Sequence, residues 1–386
     1  MKIFHLSDLH IGIRLFNRDL KEDQTYIFHQ IISCAKQEKP DAIVIAGDIY
    51  DKAVPSAEAV ELFDWFITGL KQAVPEAVCM MISGNHDSAP RVNTFRKILS
   101  GQNLYMIGNP PMKEGEQIEK VLCHDEYGDV VFYLLPFVKP SMIKQIVGTD
   151  KEGNNLTYDE SLRRLIAREK IDENRRNVLV SHQFYLPSGT IADQVERMDS
   201  EICTVGNIDQ VKTDLLDPFD YVALGHIHKP MNVGKDTICY CGTPLAYSVS
   251  EAGQEKSIVM VELKEKGEPP QIQRLPLKPL RQVKILKGTL EQVLSQECAD
   301  YVTVVLEDKV DLDVVDMKER LLHAFPNLLE IRREIQRMAK YQENGQKREA
   351  LNLNPYQMCE AFLGELNASE KAILKEVVNQ TGEVDA

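Results

Sequence analysis

The stretch Ala42-Ile43-Val44-Ile45-Ala46-Gly47-Asp48-Ile49-Tyr50-Asp51 decides the fold. It is a short apolar run, rich in β-branched residues, that ends abruptly on a glycine and an aspartate. Such a run predicts a strand buried on both faces, as in a parallel sheet, with Asp48 at its carboxyl end. Because ligands bind beyond the carboxyl ends of strands in open α/β sheets, we expect Asp48 to lie at a functional site.

Four further apolar runs end in the same way, on Asp, Asn or His. They precede Asp8-Leu9-His10, Gly84-Asn85-His86-Asp87, Ser181-His182 and Gly225-His226-Ile227-His228. Five of the nine histidines therefore fall at predicted strand ends. The alternative interpretation is a set of unrelated strand ends with hydrogen-bonded polar side chains, but five such coincidences in one chain are improbable.

The residue types at these strand ends are those of a site for two metal ions. Asp-x-His and His-x-His place both side chains on one face of an extended chain, because side chains alternate along a strand. Carboxylate, amide and imidazole ligands without a thiolate suit Mn, Fe or Zn. The pattern predicts that Asp48 bridges two ions about 3.5–4 Å apart, which activate a water for attack on phosphorus. His86 is the candidate to stabilise the developing charge or protonate the leaving oxygen, oriented by Asp51 or Asp87.

Composition excludes several classes of protein. The chain has 386 residues, 43% hydrophobic and 27% charged, which allows two or three globular domains with a large core. No apolar run approaches the roughly 20 residues of a membrane span, and no signal-like segment precedes the first predicted strand, so we expect a cytoplasmic protein. The eight cysteines are scattered, which predicts reduced, mostly buried thiols.

The formal charge of −14 limits the ways in which the protein could bind nucleic acid. Neutralisation of phosphates supplies most of the affinity of a typical DNA-binding protein, so this charge counts against a self-sufficient DNA binder. It does not exclude an enzyme whose metal ions attract the phosphate, or one whose partner holds the duplex.

The chain divides into three predicted parts. Residues 1–265 alternate strand-like and helix-like segments and predict a layered α/β domain. A run rich in Pro, Gly, Lys and Glu at 264–279 indicates a linker, and 280–340 is typical of a small α+β cap domain. Residues 350–386 predict a pair of short helices, with Ser369 capping the second. This pair is too small to form a core, so we interpret it as a segment that docks on a partner.

A helix predicted over residues 57–71, capped by Ser56, has an apolar face wider than one stripe. This face includes Trp65, the only tryptophan of the chain. We interpret the face first as core, and second as a surface that also packs on another subunit.

The five strand-end motifs together resemble the calcineurin-like metallophosphoesterase superfamily over the whole first domain. The resemblance implies a two-sheet αββα sandwich and a catalytic role for His86, with Asp51 as its orienting partner. It also implies two metal sites that share one carboxylate: Asp8, His10, Asp48 and His228 for the first ion, and Asp48, Asn85, His182 and His226 for the second.

Segments outside the metal motifs narrow the resemblance to SbcD nuclease subunits. They are residues 219–228, the run Gly242-Thr243-Pro244-Leu245-Ala246-Tyr247-Ser248, and the pairs Ser250-Glu251 and Lys256-Ser257. The resemblance implies an exonuclease on double-strand ends and an endonuclease on hairpins and single strands, acting in DNA repair, recombination and replication. It implies manganese as the metal and an SbcC-type ATPase as the partner, bound by the terminal helices.

The same resemblance implies an assembly and a location. The subunits would form a homodimer within a heterotetramer, pairing through the helix that contains Trp65, and the complex would be associated with the nucleoid. The ATPase would then supply much of the DNA binding that the acidic chain lacks.

Two other classes of function stay open at this point. A stand-alone phosphodiesterase or phosphatase on small substrates needs no ATPase, so it leaves the cap domain and the terminal helices unexplained. A non-catalytic scaffold would not need intact ligand types at every motif. Arg14, Asn17 and Arg91 lie in loops beside the metal motifs, and each is as readily a solvated side chain as a phosphate contact.

Overall fold

The central strand of the first sheet is Ala42–Ala46, and all five of its residues are buried. In the computed structural model, which describes residues 1–187, 198–201, 209–308, 314–333, 359, 363 and 367–380, it pairs in parallel with a strand on each side. The six strands of this sheet, in order, are Gln271–Leu277, Lys256–Glu262, Lys2–Leu6, Ala42–Ala46, Val78–Ile82 and Leu104–Ile107. The last four run parallel, so their carboxyl ends share one edge.

The second sheet repeats this arrangement. Its strands, in order, are Met231–Val233, Lys235–Tyr240, Tyr221–Leu224, Arg176–Ser181, Gly128–Leu135 and Glu119–Asp125. The inner four run parallel, and the two edge strands run antiparallel to their neighbours. Two-stranded ribbons are formed by Arg14–Leu15 with Arg18–Asp19, and by Phe184–Leu186 with Gln210–Lys212.

The two sheets pack face to face and are covered by helices on both outer faces. Buried residues of both sheets, such as Val44 and Ala223, form the apolar layer between them. The first sheet is covered by helices Lys21–Glu38 and Ala57–Ala73, and the second by Pro140–Val147 and Tyr158–Ala167. Short helices at Ala89–Val92 and Arg96–Leu99 follow the strand Val78–Ile82. The predicted α/β class and αββα sandwich are confirmed.

The helix Ala57–Ala73 begins where the sequence predicts. The Ser56 hydroxyl accepts a hydrogen bond from the Ala59 amide at 3.3 Å, which satisfies one of the free N–H groups of the first turn. Phe63, Phe66 and four other apolar side chains of this helix are buried. Val60 and Trp65 stay 45% and 36% exposed, so part of the broad apolar face is not used by the core.

The segment predicted as a linker is partly a strand. Gln271–Leu277 pairs antiparallel with Lys256–Glu262 and forms an edge of the first sheet. Its Pro276 is exposed and lies on this edge, where a missing N–H donor is tolerated. The linker interpretation was wrong for these residues because an edge strand that contains proline and polar residues has the composition of a linker.

The unit that follows is a three-stranded parallel sheet with two helices. Its elements, in chain order, are the strand Val283–Gly288, the helix Leu290–Leu294, the strand Tyr301–Leu306, the helix Val314–Ala324 and the strand Leu328–Arg333. It contacts the first domain through Asp23, whose carboxylate accepts hydrogen bonds from Arg281 at 2.9 Å and from the Tyr301 hydroxyl at 2.8 Å. The proposed domain limits, 1–265, 280–340 and 350–386, stay predictions.

Of the predicted terminal helix pair, the structure describes the second member, Ala368–Gln380. Its first turn is capped by Asn367, whose side-chain oxygen accepts hydrogen bonds from the amides of Ser369 and Glu370, each at 3.0 Å. The prediction that Ser369 is the cap was therefore wrong. Apart from Cys359 and Leu363, the first helix of the pair lies outside the described residues. No helix in the described part of the chain has both the length and the apolar character needed to cross a bilayer.

An ion pair at the end of the second sheet predicts a pH dependence of stability. The Asp125 carboxylate accepts a hydrogen bond from Arg176 at 3.0 Å. Burial by itself raises the pKa of Asp125, but hydrogen bonds from Arg176 and the Met1 ammonium outweigh it and hold this pKa well below the ordinary value. The stabilisation is therefore complete above the unfolded-state pKa of about 3.9 and is lost as the pH falls below it.

We expect Asp125→Asn to lower the free energy of unfolding at pH 7 by about 2 kcal/mol. The difference from the parent should shrink as urea denaturation is repeated from pH 7 down to pH 3. Asp129→Asn is the matched control, because Asp129 pairs with Arg175 at the surface and should change stability by less than about 0.5 kcal/mol. A difference for Asp125→Asn that stays constant over this pH range would contradict the assignment.

Candidate metal centre

All seven residues predicted as metal ligands lie together where the two sheets meet. Asp8 and His10 follow the strand Lys2–Leu6, Asp48 follows Ala42–Ala46, and Asn85 follows Val78–Ile82. The other three come from the second sheet: His182 follows Arg176–Ser181, and His226 and His228 follow Tyr221–Leu224. The parallel pairing of both sheets is what brings five separate strand ends to one place.

The backbone conformation at these residues differs from the expected one. Asp8, His10, Asp48 and His226 all have positive φ, between 42° and 94°. The side chains of Asp8 and His10 therefore converge because the backbone makes a left-handed turn beyond the strand. The alternation of side chains along an extended strand, which the sequence predicted as the cause, does not apply here. A Cβ atom at Gly84 would overlap the Asp48 carboxylate, so a side chain there cannot be accommodated without moving Asp48.

One donor set is formed by Asp8, His10 and His228, whose ligand atoms lie within 4.8 Å of one another. Nε2 of His10 and Nε2 of His228 are 3.1 Å apart. Nδ1 of His228 lies 2.7 Å from the Ser200 hydroxyl, which itself donates to Glu251 at 2.8 Å. The hydroxyl oxygen is therefore the acceptor for Nδ1–H, which leaves Nε2 of His228 to face His10.

A second donor set is formed by Asn85, His182 and His226. The Asn85 side-chain oxygen lies 3.0 Å from Nε2 of His182 and 2.9 Å from Nδ1 of His226. Nδ1 of His182 lies 2.7 Å from the Ala46 carbonyl, which can only accept a hydrogen bond, so Nδ1 carries a proton. Nε2 of His182 and the amide oxygen of Asn85 therefore point at the same place, where they can share a cation, either a proton on Nε2 or a metal ion bound by both atoms.

Asp48 connects the two donor sets. Its Oδ2 lies 3.6 Å from Nε2 of His10 and 3.3 Å from Nε2 of His182, while Oδ1 accepts a hydrogen bond from the His86 amide at 2.9 Å. A ring nitrogen of His86 also lies within 4.8 Å of the ligand atoms of His10 and Asp48. The buried Asp48 carboxylate therefore lies between the two donor sets, which is the position of a bridging ligand.

The electrostatics around Asp48 and His182 favour positive charge on the imidazole and negative charge on the carboxylate. Burial lowers the pKa of His182, but the carboxylate of Asp48 outweighs burial and raises this pKa to about 9. Burial likewise raises the pKa of Asp48, but His182 and His10 outweigh burial and hold it well below its ordinary value. Oδ2 of Asp8 is buried and has no hydrogen-bond partner among the described residues. A bound cation would satisfy both the lone pairs and the buried carboxylates, so these residues fit metal ions.

Comparison with known proteins decides the family. A family model for the calcineurin-like phosphoesterases matches residues 1–230, and one described as the Type 5 capsule protein repressor C-terminal domain matches residues 276–366. The chain is 35% identical over 301 residues to the SbcD subunit of the nuclease SbcCD from Staphylococcus saprophyticus subsp. saprophyticus, covering 77% of this chain and 74% of that one. The protein of the same name from Staphylococcus epidermidis is 33% identical over 298 residues, covering 77% and 75%. The chain belongs to the SbcD family of calcineurin-like phosphoesterases.

Among solved structures, a dimetal phosphatase from Danio rerio matches this SbcD-family chain with a TM-score of 0.44 and 15% identity, over 72% of this chain and 98% of that one.

In this SbcD-family protein, His86 lies beside the donor sets and is held by the main chain. Nδ1 of His86 is 3.0 Å from the carbonyl oxygen of Asp51, so Nδ1 carries the proton and Nε2 is left for another partner. The ring packs edge-on against His10, with centroids 4.7 Å apart. Asp51 therefore lies against His86 as predicted, but the orienting contact comes from its carbonyl oxygen and not from its carboxylate.

This contact predicts a small effect of Asp51→Asn. The substitution removes the carboxylate charge but keeps the carbonyl that holds His86, so we expect kcat for phosphodiester hydrolysis to stay within about fivefold of the parent. Steady-state kinetics with bis(p-nitrophenyl) phosphate and Mn²⁺ would measure it. A loss as large as that of a general acid, about 100-fold or more, would mean that the carboxylate itself acts on His86.

Asp87, the other predicted orienting residue, has a different contact pattern. Its carboxylate accepts hydrogen bonds from the amides of Ile49 at 3.0 Å, Tyr50 at 2.9 Å and Gly84 at 2.9 Å. Burial, with the nearby charge of Asp48, raises the pKa of Asp87 to about 6. Asp87 therefore ties the two loops that present Asp48 and Asn85 to each other, and its hydrogen bonds go to these loops and not to the His86 ring.

Several residues that support the centre were not predicted as such. Glu251 is buried, pairs with Lys256 at 2.6 Å, and accepts hydrogen bonds from Ser200 at 2.8 Å and Thr243 at 2.8 Å. The sequence offered a signal for three of these residues, because Thr243, Glu251 and Lys256 lie in segments that resemble SbcD nuclease subunits. It offered none for Ser200. His5, which matches no motif, hydrogen bonds to the Tyr221 hydroxyl at 2.8 Å and links the two sheets.

Proposed function

We propose that the protein is the metal-dependent nuclease subunit of a complex with an SbcC-type ATPase. It would hydrolyse phosphodiester bonds of DNA at double-strand ends, in hairpins and in single strands, in DNA repair, recombination and replication. One observation carries this proposal: the buried Asp48 carboxylate contacts both donor sets, His10 of one at 3.6 Å and His182 of the other at 3.3 Å. The two staphylococcal relatives, each named as a subunit of the nuclease SbcCD, support the choice of DNA as the substrate.

The donor sets would hold two divalent ions, with manganese as the proposed metal. The proposed ligands are Asp8, His10, Asp48 and His228 for one ion, and Asp48, Asn85, His182 and His226 for the other. Mixed carboxylate, amide and imidazole donors without a thiolate support Mn, Fe or Zn. Among these, the resemblance to SbcD nuclease subunits favours Mn²⁺. When bound, these ions supply Lewis-acid activation of the phosphodiester and of the attacking water.

His86 would act on the substrate directly. The Asp51 carbonyl holds Nδ1–H and so fixes the plane of the ring, which leaves Nε2 to face the scissile phosphate. A protonated Nε2 can stabilise the charge that develops on the phosphoryl oxygens, or transfer its proton to the leaving deoxyribose oxygen. The Asp51 carbonyl accepts Nδ1–H whether or not Nε2 carries a proton, so the ring keeps the same orientation before and after proton transfer.

The ATPase would bind the C-terminal segment and supply much of the grip on DNA. In the helix Ala368–Gln380, Ile373 and Val377 are one turn apart and are 62% and 49% exposed. Such an apolar pair on a helix supports docking on another chain. The net charge of −14 supports an arrangement in which the partner, and not this chain, makes most of the contacts with the DNA backbone. Arg14, Asn17 and Arg91 stay candidate phosphate contacts, but the prediction that all three lie in loops was wrong: Arg14 is in the strand Arg14–Leu15 and Arg91 in the helix Ala89–Val92.

A homodimer, within a heterotetramer, would form through the helix Ala57–Ala73. Its exposed Val60 and Trp65 support this surface, because both lie on a helix whose other large apolar side chains are buried. Phe95 and Ile98, in and beside the short helix Arg96–Leu99, are also exposed and apolar.

The test is a cleavage assay with three arms. Pure protein and Mn²⁺ would be incubated with a hairpin-ended DNA duplex, with the same duplex plus SbcC-type ATPase and ATP, and with bis(p-nitrophenyl) phosphate. We expect DNA cleavage that requires Mn²⁺ and rises with the ATPase and ATP. Hydrolysis of the small diester without cleavage of DNA, even with the partner, would instead identify a stand-alone phosphodiesterase.

A further inference from the structure

The turn that carries Asp8 and His10 is strained. Both residues have left-handed backbone conformations, with φ of +51° and +42°, and neither is a glycine. Non-glycine residues keep such conformations only where the surrounding structure holds them. Main-chain pairing holds one side of the turn, because the Asp8 amide donates to the Gly47 carbonyl and the His10 amide to the Asp48 carbonyl, each at 3.0 Å. The carbonyls of Leu9 and His10 face the other side, away from this pairing, and need partners there.

The side chain of Gln24 contacts this turn at three main-chain positions. Its Nε2 lies 3.1 Å from the Leu9 carbonyl and 2.9 Å from the His10 carbonyl, and its Oε1 accepts a hydrogen bond from the Gly12 amide at 3.1 Å. Gln24 is fully buried in the helix Lys21–Glu38. A planar amide offers donors and an acceptor from one rigid group, so a single side chain can bind both sides of the turn.

Tyr247 completes the clamp from the opposite side. Its hydroxyl donates a hydrogen bond to the Leu9 carbonyl at 2.6 Å and lies 3.3 Å from Nε2 of Gln24. Its ring packs edge-on against the His10 ring, with centroids 5.7 Å apart. Tyr247 belongs to the run Gly242-Thr243-Pro244-Leu245-Ala246-Tyr247-Ser248, of which Thr243 also supports the centre, through its hydrogen bond to Glu251.

We infer that Gln24 is a positioning residue for the metal centre, with Tyr247 as its partner. Gln24 keeps the Asp8–His10 turn in its strained form, so that the Asp8 carboxylate and the His10 imidazole meet His228. Gln24 contacts neither substrate nor ion, and it acts through the backbone of two proposed ligands. This inference rests on the proposed metal-dependent function.

The same helix offers a matched control. The Gln30 side chain also binds main-chain atoms at both ends of its amide, donating to the Lys278 carbonyl at 2.6 Å and accepting from the Lys278 amide at 3.1 Å. Its partner lies in the segment that leads to the small three-stranded unit and not at the metal centre. Gln24→Met and Gln30→Met therefore make the same chemical change on one helix. The first removes three main-chain hydrogen bonds of a buried side chain, and the second removes two of a half-buried one.

The experiment measures Mn²⁺ affinity of the full chain by electron paramagnetic resonance titration, without substrate, together with the melting temperature of the metal-free protein. We expect Gln24→Met to weaken one of the two Mn²⁺ binding steps, that of the site with Asp8 and His10, by about 10- to 100-fold. Gln30→Met should stay within about twofold of the parent affinity, whatever its effect on melting. Saturating Mn²⁺ should restore most of kcat for bis(p-nitrophenyl) phosphate in Gln24→Met, with KM for the diester unchanged.

If Gln24→Met does not fold, Tyr247→Phe tests the same inference, because it keeps the ring and removes only the hydroxyl that contacts Leu9 and Gln24. It should weaken Mn²⁺ binding in the same direction by about threefold, the loss of one hydrogen bond. Parent-like Mn²⁺ affinity in the folded variants, with only a lower melting temperature, would overturn the inference and leave Gln24 a structural residue. A parent protein that binds no Mn²⁺ would overturn the proposed function itself, which is a different and separately visible result.

Discussion

Replacing His86 with alanine is expected to reduce kcat for cleavage of DNA by about 10²- to 10⁴-fold, the range of a lost general acid. The side chain that Asp51 holds through its carbonyl would be gone, while the seven proposed ligands stay in place. We therefore expect the variant to bind two Mn²⁺ ions with an affinity close to that of the parent. Cleavage kinetics and calorimetric Mn²⁺ titration on the same preparation would measure both quantities.

Two comparisons sharpen this prediction. His124→Ala is the control, because His124 is exposed on an edge strand and pairs with Asp129, away from the metal centre. The loss on DNA should exceed the loss on bis(p-nitrophenyl) phosphate, since nitrophenolate needs little protonation to leave. Equal losses on both substrates would favour charge stabilisation over proton transfer. Loss of one Mn²⁺ ion in His86→Ala would show instead that His86 is a ligand, a role that its distance from His10 and Asp48 permits.

Asp48→Asn is expected to abolish activity, with kcat reduced by at least about 10³-fold, because each ion supplies several kcal/mol of stabilisation to the transition state. The amide is neutral and keeps the size of the carboxylate, so the packing around it should survive. Since Asp48 contacts both His10 and His182, the variant should lose affinity for both ions and not for one.

Asp51→Asn makes the same substitution three residues along the chain and serves as its control. Metal content after dialysis, measured by plasma mass spectrometry, should be about two Mn²⁺ per chain for the parent and for Asp51→Asn. It should fall below one for Asp48→Asn. Two ions retained in Asp48→Asn would rule out Asp48 as the shared ligand.

The residues of the centre were predictable because their signal is topological. Several apolar strands end on polar residues such as Asp48, Asn85 and His182. Strands that run parallel within a sheet have their carboxyl ends at one edge, so parallel pairing brings these side chains together. The αββα layering follows from the same alternation of strands and helices. The helix cap at Ser56 was predictable because capping depends on a single side chain and its own local backbone.

What the sequence did not reveal depends on contacts between distant main-chain atoms. The carbonyl of Asp51, not its carboxylate, orients His86, and no residue type encodes a carbonyl contact. Gln24 lies in a helix with no motif, and its role depends on the turn that it faces 14 residues earlier in the chain. The edge strand Gln271–Leu277 was interpreted as a linker because its pairing partner, and not its composition, makes it a strand.

The most direct test of the two-ion account is anomalous diffraction at the manganese absorption edge from crystals grown with Mn²⁺. The account predicts two anomalous peaks per chain, about 3.5–4 Å apart, with Asp48 in contact with both. One peak should lie among Asp8, His10 and His228, and the other among Asn85, His182 and His226. A single peak, or two peaks that do not share Asp48, would contradict the account.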